Sequence, residues 1–98
     1  MSKLTAAARD QDCIRCGRPG ETRACHYNGW RSHAFGKGRG IKCDDLATAE
    51  FCQACDLLFS ESSYHLWEGG SKSVDRSEQF LFWITISNIR RKRNGVIA

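Results

Sequence analysis

The sequence predicts a small α+β domain stapled by zinc, with a short N-terminal helix and a long C-terminal helix. Three observations carry this. Cys13-Ile14-Arg15-Cys16 and Cys52-Gln53-Ala54-Cys55 are Cys-x-x-Cys pairs, each of which puts two sulfurs on one tight turn. Thr22 to Tyr27 has strand character and runs into Asn28-Gly29, the strongest two-residue hairpin signal in the chain. Phe80 to Ile86 is an apolar run bracketed by a capping-box-like Asp75-x-x-Glu78 and by Gly95, which favours a helix.

At 98 residues and 41% apolar content the chain is expected to form one domain with a thin core, so a staple is needed. Six cysteines offer one. The first twelve residues lack the continuous apolar core of a signal peptide, which predicts a cytoplasmic protein. Thiols there stay reduced or bind metal, and this favours zinc over a disulfide framework. No run approaches the roughly 18 apolar residues that span a bilayer, so no membrane partner is expected.

The N-terminal helix is read at Lys3 to Arg9, with residues 1–12 acting as a lid. Residues 13–63 form the zinc-framed core, and residues 73–95 the last helix. Gly17 supplies the positive φ that a zinc knuckle requires, and Pro19-Gly20 turns the chain. Ile41 to Phe51 returns as extended chain, and the second cysteine pair opens a helix that runs on to Ser63. The last helix, starting at Ser73 or Asp75, is apolar nearly all round in its middle. It is expected to be wrapped by the rest of the domain or partly covered by a second copy, making a homodimer.

Four thiolates on one tetrahedral zinc make a closed site, which is structural because no position remains for substrate. Cys25 and Cys43 are left over, each a buried small hydrophobe or an alternative ligand. The net charge is +4. Arg31, Lys37, Arg39 and Lys42 lie in a glycine-rich stretch without acids, and Arg90, Arg91, Lys92 and Arg93 close the last helix. Both groups read as polyanion-binding, through phosphate neutralisation. The second also suits a helix C-terminus, whose dipole favours cations.

His26 is a strand histidine in the company of a hairpin signal, a basic loop and Asp56, an oxygen ligand directly after the second cysteine pair. Leu4 to Arg9, Ala24-Cys25-His26-Tyr27, Gly36 to Lys42, Asp45-Leu46-Ala47-Thr48, Phe51 to Cys55 and Arg93 to Ile97 together resemble the small HNH-type, or His-Me-finger, nucleases, in particular those of lambdoid phages and prophages, long catalogued as a domain of unknown function. The resemblance implies a ββα-metal core within residues 13–63 and a metal-dependent DNA endonuclease in a host-cell cytoplasm. It implies that His26 is the general base, that Asn28 orients that base or its loop, and that Arg39 and Lys42 contribute electrostatic stabilisation or grip the phosphate backbone. A catalytic Mg²⁺ or Mn²⁺ would sit at Asp56, with His65 as a further ligand and Asp44 and Asp45 as other candidates that spacing does not rank. The family usually carries His where this chain has Asp56. That departure leaves a second reading open, a non-catalytic zinc-stapled module that binds nucleic acid or protein.

Overall fold

The computed structural model describes residues 2–38 and 41–97. Helix α1 (Lys3–Ala7) is capped by Ser2, whose hydroxyl accepts from the Thr5 amide, and continues as a 3-10 turn over Ala8–Asp10. Leu4 and Ala8 are its buried residues. Strands β1 (Arg23–His26) and β2 (Thr48–Phe51) pair antiparallel, with Cys25 opposite Ala49 and His26 opposite Thr48. Helix α2 (Gln53–Phe59) follows β2 directly, and α3 (Val74–Arg93) is the long C-terminal helix. The chain is therefore a small α+β protein with a two-stranded sheet.

Asn28-Gly29 is not a hairpin turn. β1 pairs with a strand far along the chain, and the dipeptide serves packing instead. The Asn28 side-chain amide Nδ2 donates to the Phe59 carbonyl at 3.2 Å. A Cβ on Gly29 would collide with the Tyr27 hydroxyl and lie 2.6 Å from Ser77 Oγ. A local ladder forms later, where Gly38 and Ile41 exchange backbone hydrogen bonds of 3.1 and 3.0 Å. Arg39 lies outside the described residues.

A two-stranded sheet leaves unpaired backbone groups on its outer edges. On β2 the Cys13–Cys16 turn and α3 take them. The Ile14 amide donates to the Glu50 carbonyl at 2.8 Å, and the Glu50 amide donates to Ser87 Oγ at 3.0 Å. Arg91 donates to the Thr48 carbonyl at 3.0 Å, and Asn88 donates to the Leu46 carbonyl at 2.8 Å. Side chains of α3 thus stand in for a third strand, which is why all four residues of β2 are buried.

This edge corrects the reading of the C-terminal basic run. Arg90 donates to Glu50 Oε1 and to the Asp12 carbonyl, the latter at 2.7 Å. Arg91 is 1% exposed and lies 3.8 Å from Glu50 Oε2. Both neutralise a buried carboxylate, so neither forms a free polyanion surface. Lys92 and Arg93 remain exposed.

The core is an aromatic triangle of Phe51, Phe59 and Phe80, with centroids 5.0 to 5.6 Å apart, joining β2, α2 and α3. Helix α2 ends at Phe59 rather than Ser63, where Ser60 donates to the Leu57 carbonyl and a 3-10 turn takes over Glu61–Leu66. Ser73, not Asp75, caps α3 by accepting from the Arg76 amide at 3.1 Å. Its apolar residues divide: Phe80 and Ile84 are buried, whereas Phe82 is 54% and Ile89 43% exposed.

Candidate metal centre and histidine cleft

The sulfurs of Cys13, Cys16, Cys52 and Cys55 all lie within 4.8 Å of one another. Zinc–sulfur bonds of about 2.3 Å require sulfurs roughly 3.8 Å apart in a tetrahedron, and the Cys16–Cys52 separation is 3.5 Å. The four thiols therefore fit a zinc ion. Each pair is built by local backbone geometry. In the first, the Gly17 amide donates to the Cys13 carbonyl and the Cys13 amide to the Arg18 carbonyl, both at 2.9 Å, with Gly17 at φ 81° as the knuckle demands. In the second, Cys52 is the N-cap of α2 and Cys55 lies in its first turn.

The local field is uneven. Burial raises the Cys13 thiol, yet backbone amides of Cys16, Cys52 and Arg15 bring it down to about 6. Burial pushes the Cys55 thiol up to about 12 against the opposing Arg15 guanidinium, which donates to its sulfur at 3.5 Å. Cys25 and Cys43 are buried and stand outside this cluster. Cys43 donates to the Tyr27 carbonyl at 3.1 Å.

A separate cleft of about 360 Å³ opens between β1, the end of the basic loop and α2. Its lining includes His26, Asp56, Arg23, Lys37, Lys42 and Ser60. His26 and Asp56, from different elements, thus meet in one cavity. His26 is held by a residue whose role spacing alone left unranked: its Nε2 lies 2.9 Å from Asp45 Oδ1. Asp45 is held below the usual carboxylate range, first by His26 and then by the Ser2 hydroxyl, so it is ionised at neutral pH and can only accept. In the neutral imidazole Nε2 is therefore the nitrogen that carries the proton, which leaves Nδ1 as the one with a lone pair.

Lys37 and Lys42 flank the Gly38–Ile41 bridge and fall opposite each other in its register. Like charges so placed repel, a cost that an anion between them would relieve. Lys37 has a long contact of 3.9 Å to Glu61. Asp56 stands beside Cys25, and burial followed by this carboxylate raises the Cys25 thiol.

Asn28 also lines this cleft, whereas His65 and Arg31 lie elsewhere. Asn28 makes no hydrogen bond to His26; it ties its loop to α2 and accepts from Arg76. His65 is exposed on the 3-10 turn and does not line the cleft, because α2 ends before it. Arg31 faces Glu78 on α3 at 3.9 Å. Among the described residues, the four cysteines are the one group of three or more potential ligands within mutual reach. Arg23 lines the cleft without having been singled out, although its place three residues before His26 puts it on the same strand. A larger groove of about 730 Å³ lies between the loop and α3, but it contains no histidine. No helix of the described residues is long and apolar enough to cross a membrane. No family model matches the chain, and no curated protein or solved structure is significantly similar to it.

Proposed function

We propose that the protein is a metal-dependent DNA endonuclease of the HNH type, with zinc at the four cysteines and its chemistry in the His26 cleft. The observation that carries this is the His26–Asp45 pair, which engages Nε2, on a histidine that lines one cavity with Asp56, Arg23, Lys37 and Lys42. The chain order of β1, β2 and α2 agrees with a ββα-metal core.

In this reading, His26 Nδ1 takes a proton from the water that attacks the phosphodiester phosphorus. Arg23, Lys37 and Lys42 hold the phosphate oxygens and oppose their growing charge. Asp45 keeps the imidazole in the required tautomer and balances the imidazolium that forms. Mg²⁺ typically takes only one or two carboxylates besides waters and substrate phosphate, so Asp56 suits it or Mn²⁺ as a protein ligand. Bound there, the cation would supply Lewis-acid stabilisation of the phosphate and of the departing 3′ oxygen. The zinc centre acts at a distance, since the first knuckle is bonded to β2 and Cys52 begins the helix that carries Asp56.

A second reading, a non-catalytic nucleic-acid-binding module, is favoured by the position of Asp56 beside Cys25 and by the absence of a third ligand around it among the described residues. Incubation of supercoiled plasmid with zinc-loaded protein and Mg²⁺ or Mn²⁺ separates the two. Nicking that His26→Ala lowers by about 10²- to 10⁴-fold supports the enzyme. Equal cleavage by both proteins sinks it, and salt-sensitive DNA binding without cleavage selects the module.

A further inference from the structure

Helix α3 has two unlike faces. Its inward face, with Phe80, Ile84, Ser87 and Arg91, is buried against the strands and α2. Its outward face runs Asp75, Glu78, Phe82, Thr85, Ile89, Lys92, every one of them exposed. These positions alternate in steps of three and four, the seam spacing of helices that pair side by side. The two apolar members are large, and Phe82 is braced by the Trp83 ring, edge-on at a centroid distance of 4.9 Å. A braced side chain loses less freedom on docking.

Charge selects the occupant. Acids lie at the N-terminal end of this face and bases at its C-terminal end, with Phe82 and Ile89 between them. A parallel copy would set Glu78 against Glu78 and Arg93 against Arg93, which repels. An antiparallel copy, related by a two-fold axis beside Thr85 and Ile86, would set Phe82 on the second copy's Ile89 and Glu78 beside the second copy's Arg93. Both contacts would then occur twice, as an isologous interface requires. The existing partner of Glu78, Arg31, is a long surface contact of 3.9 Å and competes weakly.

We infer that the outward face of α3 is a self-association surface, through which two copies of this chain pair antiparallel. The adjoining groove extends the apolar area with Leu46, which is 51% exposed, and with Leu81. The histidine cleft stays open in such a pair. Phe80 is the residue of α3 that lines it, and Phe80 points to the opposite side of the helix from Phe82.

Sedimentation velocity of the zinc-loaded protein from micromolar to near-millimolar concentration should show a monomer–dimer equilibrium, which Phe82→Glu abolishes while leaving circular dichroism and zinc content unchanged. Glu78→Arg and Arg93→Glu should each weaken the dimer by about tenfold or more, and their combination should return the dissociation constant to within about threefold of the parent. A monomer at every concentration overturns the inference, as it would leave this face to another partner. A double variant no tighter than either single variant overturns it equally, because it removes the antiparallel pairing.

Discussion

Asp45 decides what His26 can do. Asn at this position keeps the shape but offers the imidazole an N–H as well as a carbonyl, so the tautomer is no longer dictated. If the protein is the endonuclease proposed above, Asp45→Asn should therefore lower cleavage by at least about tenfold, and up to roughly 10⁴-fold, through loss of the base rather than of substrate binding. Steady-state cleavage should show the fall in kcat with KM little changed. The acid side follows from the same contact. Because the folded carboxyl is held below its usual range, the pairing is complete above the ordinary carboxylate range and is lost as pH falls through the lowered value. Gly29 sets a different limit. A methyl there meets Ser77 Oγ at 2.6 Å and the Tyr27 hydroxyl, so Gly29→Ala should cost about 1–3 kcal/mol in urea unfolding. His26 and Asp56 were singled out from their strand and helix settings, and the fold brings both to one cleft, whereas the Asp45 contact depends on how the loop returns to the sheet.

At the scale of elements, the join between β2 and α3 carries a buried charge. Glu50 and Arg91 are each 1% exposed, and burial lowers the Arg91 pKa against the opposing pull of Glu50. Removing one partner of a buried pair leaves the other uncompensated. Glu50→Ala should thus destabilise the zinc-loaded protein by about 3–5 kcal/mol, whereas Arg93→Ala, at an exposed position, should change stability by less than about 0.5 kcal/mol. Parallel thermal unfolding of the two variants checks the contrast. A signal for this was present in the sequence: Phe80, Ile84, Ser87 and Arg91 recur at i, i+4, i+7 and i+11, which puts Arg91 on the buried stripe. The run of four bases concealed it, as did the polar look of Glu50 within a short strand.

For the molecule as a whole, the four-cysteine cluster, which fits a zinc ion, would tie the first knuckle to the start of α2, and the knuckle in turn is bonded to β2. With so few strands, metal affinity and folding are coupled. Metal analysis of reduced protein should find about one zinc per chain, and chelation should abolish cooperative unfolding. Cys52→Ser should have the same effect as chelation. Retention of a sharp transition after zinc removal would show that the aromatic core suffices alone.

What the sequence determined by itself was local. The cysteine pairs, the glycine at the knuckle, the strand before Tyr27 and the long C-terminal helix each follow from the chemistry of a few adjacent residues. Tertiary structure decided the rest: β1 pairs with β2 instead of folding back at Asn28-Gly29, Asp45 reaches His26, and Arg91 turns inward to Glu50. Each of these joins residues far apart in the chain, and their energy comes from a register and a burial that no short window contains. The same division separates the two candidate sites, for the four cysteines that fit a metal were readable one turn at a time, while the setting of His26 exists only once the loop has closed.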